Sequence, residues 1–314
     1  MIYTITLNPA LDRSITVEML VSDDANRVVS EERYAGGKGI DVSRVIQVLG
    51  GDSVALGFVG GFHGMELEQR LLRQGVKCDF VETRRETRTN ILIHEKLKKT
   101  HTILNASGPE VNEVEIRELM EKIKVIEDPE YAVISGSIPG GLKVDIYKDI
   151  VSIFNKRGSI TALDADGEAM KQGIRAVPHI VKPNIHELGR LLGREIKNSE
   201  DAIRGAEELL DMGIKIVLIS MGGDGAILVS EETKAKGIRA LKGIPPEITV
   251  DSTVGAGDSF LAAFVLGRKR NLDIKECLAL AVASGAAASI TPGTELCKRE
   301  DVERLLDRVK IEEI

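Results

Sequence analysis

Positive charge is in deficit: 42 Lys and Arg stand against 49 Asp and Glu over 314 residues, a formal net charge of −7. That balance excludes a nucleic-acid partner held on a general basic surface, although it leaves room for a local basic pocket. Cysteine is scarce as well. Cys78, Cys277 and Cys297 form no C-x-x-C pair and no zinc-ligand spacing, so they read as small buried hydrophobes. Their odd number, behind a start with no signal-like segment, predicts a reducing cytoplasm. The five histidines show no metal spacing, and no stretch, "GFVGGFHG" (57–64) included, reads G-x-G-x-x-G; a dinucleotide cofactor is not indicated. The longest apolar run, Leu278 to Ile290, is broken by Ser284 and Gly285 and is too short for a bilayer. Linkers, repeats and low-complexity tracts are missing, which predicts one soluble domain over residues 1–314 with a substantial core.

What is present alternates. "YAVISGS" (131–137), "SITALDAD" (159–166), "PHIVKPN" (178–184) and "IKIVLISMGG" (214–223) are short β-branched runs ending in small or polar residues. Between them, residues 142–158 and 199–213 carry apolar positions at three- and four-residue spacing and stop at a glycine. This alternation predicts a doubly wound, mainly parallel α/β sheet with helices on both faces and ligands at the carboxyl ends of its strands. Two stretches break the pattern. Residues 12–35 are β-branched and charged, and 89–105 read as a hairpin turning in "KLKK". Together they predict a small β-sheet lid over the ligand edge.

Four segments carry chemistry. In "DSTVGAGDSFLAAF" (251–264) the amides of Gly255, Ala256 and Gly257 open a helix whose apolar positions include Phe260, Leu261, Phe264 and Val265. Unpaired N–H groups and the positive helix end suit an anion. Asp258 faces the same place, where the dipole should lower its pKa and leave a weak base; phosphoryl transfer tolerates one. The competing reading makes Asp258 a helix cap. In "AGGKGIDVSRVIQVLG" (35–50), Gly37 and Lys38 precede a helix, yet no Ser or Thr follows the lysine, so this is no Walker A loop. In "VKPNIHEL" (181–188), Lys182, Asn184 and Glu187 end a strand; Asn184 and Glu187 could hold Mg²⁺ through its waters, or form a capping box. In "SMGGDGA" (220–226), Ser220, Gly222, Gly223 and Gly225 could admit a nucleotide's phosphates, or simply turn the chain.

Taken together, "GGKGIDVSRVIQVLGG" and "DSTVGAGDSF" resemble the two signatures of the PfkB (ribokinase-like) sugar kinases. "TLNPALD" (6–12), "TRTNI" (87–91), "ISGSIPGG" (134–141), "VKPNIHEL", "SMGGDGA" and "GTELC" (293–297) extend the resemblance over essentially the whole chain. It points to the hexose-phosphate branch, which acts on fructose 1-phosphate, fructose 6-phosphate or tagatose 6-phosphate. The resemblance implies Asp258 as catalytic base, with Ala256 and Gly257 in the anion hole. It implies Asn184 and Glu187 as organisers of magnesium and the ATP phosphates, and Ser220, Gly222 and Gly225 as the nucleotide loop. Asp12, Gly37 and Asp41 correspond to sugar-hydroxyl contacts. Lys38, Arg88 and Ser137, with Asn90 beside them, correspond to the group receiving the substrate's own phosphate. Arg27 would join from a neighbouring subunit of a homodimer paired through its lids. Whether K⁺ takes part stays open. One departure stands out: Asp41 replaces the expected Asn, and an added charge should weaken binding of a phosphosugar. A kinase for a free sugar, polyol or nucleoside, or a non-catalytic sensor, remain the rival readings.

Overall fold

The β-branched runs become strands because each is flanked by helices that bury both of its faces. The structure is a computed structural model, and it describes residues 1–293 and 295–314; the threonine of "GTELC" lies outside them. An eleven-stranded sheet runs from Lys310–Glu313 through Leu241–Ile244, Ala226–Ser230, Ile216–Ser220, Ile180–Val181, Ile160–Asp164, Tyr131–Ser135, Ile2–Thr6 and Ser53–Val59 to Lys77–Cys78. Val81–Glu82 also pairs with Ser53–Val59. Every pairing from Ile216–Ser220 to Lys77–Cys78 is parallel. The three pairings at the opposite edge are antiparallel.

Alternation along the strands divides the core into two layers. Ile2, Tyr131, Val133 and Leu218 face helices Lys38–Val48, Ala256–Lys269 and Ile274–Ser289. Ile5, Ala132, Ile134 and Val217 face Glu113–Val125, Ile146–Lys156 and Ser199–Asp211. Helix Ala256–Lys269 is buried continuously from Ser259 to Gly267, so an all-round apolar sequence suits its position. Its amino end is thereby fixed rigidly against the sheet.

The second sheet is the small one the sequence predicts. Its order is Val28–Gly36, Ala10–Val17, Arg88–Glu95 and Thr100–Leu104. The last two strands form the hairpin across Lys96–Lys99. Its strands start a little earlier than expected, at Ala10 and Arg88, and residues 18–27 leave the sheet as a loop. There the Asn26 side chain both accepts from the Val21 amide and donates to the Val21 carbonyl, each at 2.8 Å. Among the described residues, no helix is long and apolar enough to cross a membrane.

Candidate active site

The loops that follow the parallel strands converge on a cleft of about 980 Å³, lined among others by Lys38, Asp164, Lys182, Glu187, Gly223 and Asp258. A smaller hollow of about 190 Å³ lies beside Asp12, Asn90 and Val254, under the small sheet.

The helix at the heart of the cleft begins at Ala256, and Gly255 (φ 74°) is its cap residue, with no side-chain capping bond. Ala256 reaches the Thr253 carbonyl only at 3.4 Å, and the amides of Gly255, Gly257 and Asp258 find no acceptor among the described residues. Unspent donors at a helix start constitute an anion site. Asp258 makes no hydrogen bond or ion pair among the described residues, so it does not cap its helix. Its pKa is a correction to the sequence reading. The dipole was expected to lower it; instead burial and the neighbouring Asp164 push it up to about 6, against the pull of Lys38 and Lys182. Desolvation and the Asp164 charge outweigh the dipole, whose effect in the helix's first turn is modest.

Sequence reasoning missed Asp164, which ends strand Ile160–Asp164 and is fully buried. Lys38 Nζ donates to its Oδ1 at 2.9 Å, and Lys182 Nζ lies 3.1 Å from its Oδ2. The second contact is off hydrogen-bond geometry, which leaves Oδ2 under-satisfied. Burial raises the Asp164 pKa, but Lys182 and Lys38 more than reverse this and hold it below the ordinary value. Burial likewise disfavours the Lys38 charge, and Asp164, Asp258 and Glu187 outweigh it to hold that pKa high. The only local signal for Asp164 was an acid closing an otherwise apolar strand. Its meaning depends on two lysines distant in sequence. The Lys38 amine is accordingly held beside Asp164 and Glu187, while the base of its side chain faces Gly136, next to Ser137.

Asn184 and Glu187 form the capping box. Asn184 Oδ1 accepts from the amides of His186 and Glu187 at 2.9 Å, and Glu187 Oε2 accepts from the Asn184 amide at 2.9 Å. This occupies the Asn184 oxygen, while Glu187 Oε1 stays turned to the cleft, 3.8 Å from Lys38 Nζ. No group of three or more His, Cys, Asp or Glu capable of holding a metal occurs among the described residues. One open carboxylate oxygen beside an anion site fits Mg²⁺ held mostly by water and phosphate.

Ser220 ends its strand on the cleft, and Gly222 and Gly223 face open space. Gly225 differs: a Cβ there would strike the Gly243 carbonyl, so the turn itself requires it. The opposite wall, Pro245, Pro246, Ile248, Val250, Val282 and Ala286, is apolar. Sequence reasoning saw no site there, since proline and small residues without a polar partner carry no motif.

At the small-sheet end, strand register sets Asp12 opposite Asn90, whose Nδ2 donates to Asp12 Oδ1 at 2.8 Å. Burial pushes the Asp12 pKa up to about 6, against Asn90 and Arg88. Asp41 is paired with Arg44 at 2.9 Å, and that guanidinium also holds the Ala35 carbonyl and Gln74. Burial raises the Asp41 pKa well above normal; Arg44 opposes this, and Asp258 and Asp12 add to it. The charge anticipated at Asp41 is therefore compensated within the protein. Gly37 (φ 114°) packs over Pro9 and Thr6 as the chain turns into its helix. Arg88 is half-buried at the start of its strand, and Ser137 is exposed in the loop after Tyr131–Ser135. Arg27 is exposed in the 18–27 loop and lines neither cavity.

The chain and its fold have known relatives. Residues 5–301 match the pfkB family carbohydrate kinases. A 1-phosphofructokinase of Bacillus subtilis is 35% identical over 312 residues, covering 99% of both chains. Another, of Borreliella burgdorferi, is 33% identical over 314 residues, covering 100% of this chain and 99% of that one. The crystal structure of phosphofructokinase-2 from Escherichia coli in complex with potassium superposes with a TM-score of 0.92 at 33% identity, covering 98% of each chain. The chain belongs to the pfkB family of carbohydrate kinases.

Proposed function

We propose that this protein transfers the γ-phosphoryl group of ATP to a primary hydroxyl of a ketohexose phosphate, converting fructose 1-phosphate to fructose 1,6-bisphosphate. The observation that carries this reading is the pairing of the unspent amides of Gly255, Gly257 and Asp258 with an unpartnered Asp258 side chain in one cleft. Asp258 orients the acceptor hydroxyl and takes its proton, and a pKa near 6 suits a base working at neutral pH. The amides and Lys38 stabilise charge on the migrating phosphoryl group, whose loose transition state needs positioning more than strong bases. Asp164 holds Lys38 and Lys182 at that point. The apolar wall from Pro245 to Ala286 takes the nucleotide's base, with Ser220, Gly222 and Gly223 beside its phosphates.

Glu187, backed by Asp164, would hold Mg²⁺ through water, and the ion would supply charge neutralisation between the two polyanions. Asp12, Asp41, Gly37 and Asn90 contact the sugar, and Arg88 and Ser137 take the substrate phosphate. The small sheet acts as a lid. Val28, Val29, Ile103 and Leu104, each about half exposed on it, support a homodimer in which the partner's lid brings its own Arg27 to the site. The potassium in the related crystal structure supports a monovalent-cation requirement, and the protein works in the cytoplasm. The test is an ADP-coupled screen of phosphorylated and free ketoses, pentoses, polyols and nucleosides. Turnover confined to free sugars would overturn the reading.

A further inference from the structure

The link between strand Ile2–Thr6 and the small sheet contains a polar side chain that none of the roles above uses. Asn8 is 3% exposed. Its Nδ2 donates to the Ser107 carbonyl and to Ser137 Oγ, both at 3.0 Å. Its own carbonyl accepts from Arg88 Nε at 3.2 Å and Nη2 at 2.8 Å. A carbonyl cannot donate, so Ser107 fixes which end of the amide faces it. The other end, Oδ1, is buried without a donor, and Gly108 (φ 96°) lies against it so closely that any Cβ there would overlap the oxygen. Packing alone would favour an apolar residue over a half-satisfied amide.

We propose that Asn8 is the positioning residue of the substrate-phosphate pocket and makes the enzyme selective for a phosphorylated acceptor; this inference rests on the function proposed above. Ser137 Oγ accepts the Asn8 N–H, so its own proton is left to donate on the exposed side. Arg88 spends three N–H groups on the Asn8 carbonyl and, at 2.7 Å, the Ala106 carbonyl. A guanidinium has five, so two remain, held in a fixed orientation. Arg88 and Ser137 thus present a fixed cation and mainly donors, set before substrate arrives, which favours a phosphate dianion over a neutral hydroxymethyl group.

The test compares Asn8→Asp and Asn8→Ala with the wild type, using fructose 1-phosphate and ATP. The isosteric Asp variant replaces the donor with an acceptor and draws the Ser137 proton inward. It should raise KM for the phosphosugar by about 10- to 100-fold, at least as much as Asn8→Ala, with kcat and the KM for ATP within about threefold. A packing role predicts the reverse order. Asn8→Ala combined with Ser137→Ala should be little worse than the more impaired single variant. An Asn8→Asp enzyme with unchanged KM, beside an active wild type, overturns this inference alone. A wild type inert toward phosphosugars sinks the function and the pocket with it. Should neither Asn8 variant fold, Ser137→Ala decides: it lies on the surface, and an unchanged KM there overturns the inference.

Discussion

Lys38 Nζ and Asp164 Oδ1 meet at 2.9 Å across 126 positions of sequence, and this contact places a cation near Asp258, a cleft carboxylate with no partner among the described residues. Asp164→Asn would leave Lys38 and Lys182 without their shared counter-charge. Breaking a buried ionic cluster typically costs about 3–5 kcal/mol, so a lower Tm is expected. A fall in kcat of about 100-fold or more should accompany it, since the cation at the transfer point loses its anchor. Calorimetry and single-turnover kinetics check the two effects separately.

The acid limb of kcat/KM should centre near pH 6, the value to which burial and Asp164 raise Asp258. The base must be ionised to accept the hydroxyl proton, so activity falls as pH drops through that value. Removing the Asp164 charge in Asp164→Asn should move the limb to lower pH. A limb at the ordinary carboxylate value in the wild type would contradict the role given to burial.

Asp258→Asn should lower kcat by about 1,000-fold or more while ATP still binds, as titration calorimetry would show. The same variant should be more stable. Between about pH 4 and 6 the native carboxyl binds a proton that the unfolded one has released, so wild-type stability declines as pH rises through that window. Above pH 6 the variant should gain about 1–3 kcal/mol. The gain should vanish as pH falls to 4, and Tm measured across that range checks it.

Glu187→Gln keeps a side chain able to complete the capping box but removes the charge facing Lys38. The helix should persist, with little change in Tm, while the Mg²⁺ concentration for half-maximal activity rises about tenfold. Excess EDTA should abolish turnover in the wild type. Full activity in EDTA would remove Glu187 from any metal role.

The alternation of strands and helices, the small sheet, the hairpin at 96–99 and the bare amides before Asp258 were all legible in the sequence. Each depends on near neighbours: period, caps, glycines and turn residues. The glycine-rich turn at 220–226 was legible too, though only the structure separates Gly225, demanded by the sheet, from Gly222 and Gly223, which face the cleft.

The pKa of Asp258, the pairing of Asp41 with Arg44, the lysine bridge through Asp164 and the junction at Asn8 were decided by tertiary structure. Desolvation and charge–charge interaction depend on what the fold brings within a few ångströms, and sequence spacing does not encode that distance. The sequence by itself determined where an anion could sit and which acid stands next to it. Only the packed sheet determined how basic that acid is and which cations share its cleft.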